Sequence, residues 1–315
     1  MNEQFRVAQK LGLMFRPENR LPGDTKSWAI SQLKAKSPAL GISQVGSKVK
    51  SWPPSLQPDL LTRDTMFANW FQRQKIGDAS NASNAERNAN RKENLMDEKD
   101  ELKFSHRNVY GKDQVRLRFT AFWANHFTTG NTHDNRNHIG HAIDEAILAN
   151  LNGDFSHMLY KMTTHPSMLI YLDNIFSAGP NSKEVERAKR NGEQAGLNDN
   201  LGRELLELHT VSPSAKYTED DIRNAAKVLA GWGVFPGMLW GNNNITLKQK
   251  HAKLVQMAGT TNTWDFFKPR HAEPGTKTIM GKVITANSRQ ELKGGLRNLT
   301  DFLASHEHTI NHISF

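Results

Sequence analysis

The chain contains no cysteine. That excludes disulfide frameworks, zinc–thiolate sites, iron–sulfur clusters and cysteine nucleophiles at once. No apolar run approaches the roughly 18 residues that a membrane-spanning helix needs, and the mean hydropathy is −0.65. No membrane span is expected. The first residues, Met1 to Phe15, lack a long apolar stretch followed by a small-residue cleavage site, so no signal peptide is read there. Gly-rich phosphate loops, Gly-x-Ser-x-Gly elbows and kinase motifs are missing. Strand candidates are few and short, and no internal repeat is apparent.

What is present is a chain of 315 residues, room for one or two domains at roughly 150 residues each. Hydrophobic residues make up 37%, and the 22 glycines raise the apolar share to about 44%, enough for a packed core. Lysine and arginine number 41 against 32 aspartates and glutamates, a net charge of +9. A basic excess suits nucleic acid, an acidic polymer or an anionic surface. Here the basic residues are scattered, and the densest cluster, Lys183 to Arg190, is interleaved with Glu184 and Glu186. That reads as a solvated basic face, and nucleic acid is not the expected partner.

The periodicity is helical. Ser27 to Leu33 reads as a short amphipathic helix, and Asp59 to Ile76 as another. Val115 to Phe127 is dense in apolar residues and reads as a buried helix. Ile139, Ala142, Ile143, Ala146 and Ile147 give a three-four spacing, as do Phe155, Met158, Leu159 and Met162. Leu201, Leu205 and Leu208 line a further helix. Thr218 and Asp221 form a capping box before Ile222, Ala225, Ala226 and Leu229, with Gly231-Trp232-Gly233 as the stop. A helix from about Glu291 to Phe302 and a last one from near Ser305 to Phe315 close the chain. The expected fold is mainly α: a single large irregular helical domain over 1–315, with long polar loops and at most a small hairpin, placed within Asn242 to Gly275. Two stretches, 78–100 and 179–196, show no apolar face and are expected to be a polar connector and a mobile insert.

Several polar groups sit where chemistry is plausible. Asn125 and His126 interrupt a very apolar run, and Asp173 and Asn174 follow another. Polar groups in such places need partners or a ligand. Asn198, Asn200, Arg203, Glu204, Glu207 and His209 cluster about one short helix. Glu204 and Glu207 share a face, which suits a hard cation or paired acid–base work. His209 lies about 200° round from Glu207 and joins them only if the helix ends first. The candidate metal set is therefore Glu204, Glu207 and His209, with a divalent ion as the cofactor. The pairs His138/His141 and His308/His312 each fall on one side of a helix. Neither matches a metal signature, and surface histidines are the plain account of both.

Several motifs then occur in order. They are Phe122-Trp123-Ala124-Asn125-His126-Phe127, Met168-Leu169-Ile170-Tyr171-Leu172-Asp173-Asn174, Gly196-Leu197-Asn198-Asp199-Asn200 and Arg203-Glu204-Leu205-Leu206-Glu207-Leu208-His209-Thr210. Tyr217-Thr218-Glu219-Asp220-Asp221, Gly231-Trp232-Gly233-Val234, Pro269-Arg270-His271 with Lys277 and Gly281, and Leu303-Ala304-Ser305-His306 follow. This series resembles the bacterial domain-of-unknown-function family 1800 (DUF 1800) from about Leu11 to the end. The chain departs from the family pattern at Ala272, where an Asp is usual, and at Ser212 and Pro213, where a Gly is usual. The resemblance implies a mainly helical bacterial protein and no particular activity. It also implies further helices past Phe315, so the chain reads as C-terminally incomplete. Relatives often look exported, beside a second exported protein.

Two functions follow as expectations. The first is an envelope-associated binding or assembly protein that works with a protein partner or an acidic polysaccharide, its pocket built from the ten residues Asn125 to His209 named above. The alternative is a metal-dependent hydrolase whose Glu, Asp and His ligands activate a water.

Overall fold

The computed structural model describes residues 3–11, 23–34, 58–64, 66, 83–84, 96–110, 113–132, 135–234 and 263–314. The described chain is mainly α-helical. Its elements are α1 (Glu3–Leu11), α2 (Thr25–Lys34), α3 (Met96–Tyr110), α4 (Gln114–His126), α5 (Ile139–His141), α6 (Phe155–Thr164), α7 (Pro166–Tyr171) and α8 (Lys183–Asn191). After them come α9 (Asn200–Glu207), α10 (Glu219–Leu229), α11 (Arg289–Ala304) and α12 (Glu307–Ser314). Among the described residues the one sheet is an antiparallel hairpin of β1 (Lys277–Ile279) and β2 (Lys282–Ile284), with Thr278 opposite Val283. It lies just beyond the segment where a hairpin was expected, most of which falls outside the described residues. The same holds for most of 78–95 and for the second half of the helix expected over 59–76.

Local sequence accounts for the ends of these helices. Thr218 Oγ1 accepts from the backbone of Asp221, whose carboxylate accepts from the Thr218 backbone, the reciprocal cap expected from the spacing. Ser288 and Glu291 close the same box on α11. The core lies where α6, α9, α10 and α11 meet. Leu159, Met162, Leu201, Leu205, Leu229, Leu296 and Leu299 pack there around a fully buried Trp232. The hairpin covers α10 and α11, while α3 and α4 pack on α5 and the turn that follows it.

Close approach of α9 and α10 depends on Gly202. A Cβ there would stand 2.8 Å from the amide nitrogen of Ala226 and 2.9 Å from the carbonyl oxygen of Ile222. Both neighbours are backbone, so neither can rotate away. Gly202→Ala is expected to cost about 1–3 kcal/mol through overpacking. Urea unfolding measures it, and an unchanged midpoint would show that the helices separate freely.

The stretch 179–196 differs from its expectation. It carries α8, whose Val185 and Ala188 are buried, with Ser182 capping its start and left-handed Gly192 (φ 69°) at its end. Its flanks are tied by Ala178 N–H to Gly196 O and by Gly179 N–H to His271 O, both 2.8 Å. The charged residues of α8 hide this narrow apolar face, because only two of its nine positions carry it.

A second irregularity matters for the site. The helix begun by α5 continues as a π-helical turn over Ala142–Ile147 and a 3-10 turn over Leu148–Asn150. A π turn widens the coil and rotates the following side chains, and such turns concentrate at functional sites.

Candidate functional site

The ten residues singled out in the sequence fall into separate places. His126, at the end of α4, reaches the loop after α9, where its Nε2 lies 3.1 Å from the carbonyl oxygen of His209. The two rings are 6.1 Å apart, and His312 of α12 stands 6.3 Å from His126. His312 Nδ1 in turn donates to the carbonyl of Thr210 at 2.8 Å. A carbonyl only accepts, so His126 carries its proton on Nε2 and His312 on Nδ1. Burial among Trp123 and Phe127 lowers the His126 pKa, and burial pushes His209 down to about 3.

The other candidates lie elsewhere. Arg203 pairs with Glu219 at 2.8 Å on the surface. Glu204 is raised above the usual carboxylate range by partial burial and by Glu207. Glu207 accepts a hydrogen bond from Tyr217. Asn198 Oδ1 accepts from the Asn200 backbone at 2.9 Å, a local turn bond. Asn174 is buried, and its Nδ2 ties the carbonyls of Leu229 and Trp232. Asn125 and Asp173 are exposed, Asp173 in a left-handed conformation at φ 56°. The set Glu204, Glu207 and His209 is not brought together as a metal centre. α9 does end at Glu207, but the His209 ring turns inward to His126 while Glu207 accepts from Tyr217 and the Glu204 carboxylate is half-buried beside it. Among the described residues no group of three His, Asp or Glu is placed to hold a metal ion.

A different region holds the strongest polar assembly, between α3 and the π turn. Arg63 donates to both carboxylate oxygens of Asp100, at 2.6 and 2.9 Å, and to the carbonyl of Asn137 at 2.7 Å. Lys103 donates to Asp144 at 2.6 Å and Arg107 donates to its other oxygen at 2.7 Å. All five side chains are at most 6% exposed. Burial alone would raise Asp144, but Arg107 and Lys103 outweigh it and hold the carboxyl below its usual range. Gly140 makes the approach of the two elements feasible, since a Cβ there would lie 2.1 Å from Asp100 Cγ.

The network borders a cavity of about 380 Å³, lined by Lys103, Arg107, Asp144, Arg136 and Asp97 beside apolar Phe104, Ile139 and Ile143. That size lies in the range of small-molecule sites, roughly 300–1,000 Å³. Deeper in, His138 Nε2 meets Asp64 at 3.0 Å. His165 Nδ1 accepts from the Ser167 backbone, so its Nε2 carries the proton and donates to His141 Nδ1 at 3.0 Å. Burial is the main cause that holds both rings neutral, His141 at about 3. His138 and His141 are thus interior groups, not the surface histidines expected from their spacing.

Sequence reasoning passed over this assembly. Asp100, Lys103 and Arg107 do carry a three-four spacing, but it is a stripe of charges, and it straddles the end of the supposed connector. Asp144 sits within an apolar helical face. Charged residues at core-facing positions were the available signal, and Arg63, 37 residues upstream of Asp100, had none.

The fold and this cavity define a mainly helical protein with a buried charge network beside a ligand-sized site. The chain belongs to the family described as protein of unknown function (DUF1800), whose sequence profile matches residues 15–315. Neither a curated protein nor a solved structure matches the chain.

Proposed function

We propose that this is a binding protein and that the cavity between α3 and the π turn takes a small polar ligand. The observation that carries the reading is the pairing of an open cavity with a buried charge network. Burying five charges costs desolvation energy that a purely structural element avoids with apolar residues. Preorganised charges beside a cavity recognise a polar molecule without reorganising. No described helix is long and apolar enough to cross a membrane. The proposal includes an envelope setting with a protein partner, which the family resemblance implies and which a net charge of +9 suits when the partner is acidic. Fractionation of the native host tests that part, and recovery of the protein only from cytosol would overturn it.

The binding reading is tested by thermal shift against sugar acids, amino acids, neutral sugars and polyamines. A ligand at one hundred times its Kd stabilises by about 2.7 kcal/mol. Ile139→Trp, which fills the cavity, is expected to abolish the shift. Failure of every class to stabilise the protein would sink the reading.

A further inference from the structure

Arg107 is the group on which this inference turns. It is 2% exposed, lines the cavity, and commits only Nη1 to Asp144. Its Nε and Nη2 are buried and have no hydrogen-bond partner among the described residues. These two N–H groups lie on one edge of the planar guanidinium and point the same way. That edge is the fork that meets two oxygens of a carboxylate or a phosphate side by side. Buried donors are almost always paired, so an empty fork beside a cavity calls for an acceptor.

The ion pairs leave that edge unused. Asp100 accepts both donors of Arg63, and Asp144 gives one oxygen to Lys103 and the other to Arg107 Nη1. Arg136, on the same cavity wall, stands 3.9 Å from Asp97. Resting on the binding reading above, we infer that the ligand presents an oxyanion, a carboxylate or a phosphate, and that Arg107 receives it through Nε and Nη2.

The test uses the full chain labelled with nitrogen-15 and follows the Arg107 Nε–H signal. The probes are galacturonate, galactose 1-phosphate and inorganic phosphate, with galactose as the neutral counterpart. The expected result is a saturable shift of that signal with at least one oxyanion probe and none with galactose. A response to galacturonate alone identifies a carboxylate, and a response to the phosphates alone identifies a phosphate. Arg107→Lys keeps the charge and loses the fork, so the affinity should fall about tenfold or more. Because the signal is read on the unsubstituted protein, the test stands even if that variant unfolds. Should galactose bind in the cavity as well as galacturonate, with Arg107 Nε–H unmoved, the oxyanion inference falls and the binding reading survives. If no probe shifts any cavity residue, and the wider panel above also fails, both fall.

Discussion

Asp144→Ala is expected to destabilise the protein by about 3–5 kcal/mol, a large part of the stability of an ordinary domain. The carboxylate accepts from Lys103 and Arg107 and is 2% exposed, so its removal leaves two cations buried without their counter-ion. The loss is mainly the desolvation of the orphaned partners, not the lost attraction. Replacing the residues as a unit separates these causes. Asp144→Leu with Lys103→Met and Arg107→Met removes all three charges, restores apolar packing and should recover most of the loss in urea unfolding. A single substitution that costs under 1 kcal/mol would mean that water reaches the network and that the site is open in a way the geometry does not show. The same variant should also lose the ligand response, because Arg107 is no longer held by Nη1.

Stability should collapse on mild acidification. His141, His165 and His209 are held neutral, chiefly by burial, with His141 and His209 at about 3. In an unfolded chain each imidazole titrates near 6.5. Between about pH 6.5 and pH 3 the unfolded chain therefore binds protons that the folded chain refuses, and stability falls as pH falls. Their contribution is complete above pH 6.5. Below it each histidine removes up to about 1.4 kcal/mol per pH unit, so the three together remove up to about 4. His271, pushed down to about 4 by burial and Lys268, acts in the same direction. Glu145 and Glu204, raised by burial, act in the opposite sense as they protonate. Urea unfolding at pH 7.5, 6 and 5 reads the slope. His209→Gln should reduce it by about one quarter, and a flat profile from pH 7.5 to 5 would contradict the burial of these rings.

Much of the fold was legible because it is local. Apolar spacing gave α4, α6 and α9, and the capping pair Thr218 and Asp221 gave the start of α10. α8 was missed because its buried face is only Val185 and Ala188, too small to stand out among the seven polar residues of that helix. The π turn was invisible because a hydrophobic repeat reports which residues face inward, not how the coil is wound between them.

The candidate residues divide by the same logic. His126 was found because a polar group inside an apolar run announces itself, and His209 as a member of the polar set about α9; the structure brings their rings to 6.1 Å. The grouping with Arg203 and Glu204 was a guess from neighbourhood in sequence. By itself the sequence determined a cysteine-free, mainly helical chain, the capped start of α10 and the family to which it belongs. Only the tertiary structure decided that Arg63, Asp100, Lys103, Arg107 and Asp144 form one buried network beside a cavity. The reason is physical: local preferences act over a few residues, whereas an ion pair between positions 63 and 100, or 103 and 144, exists only after packing has removed the water between them.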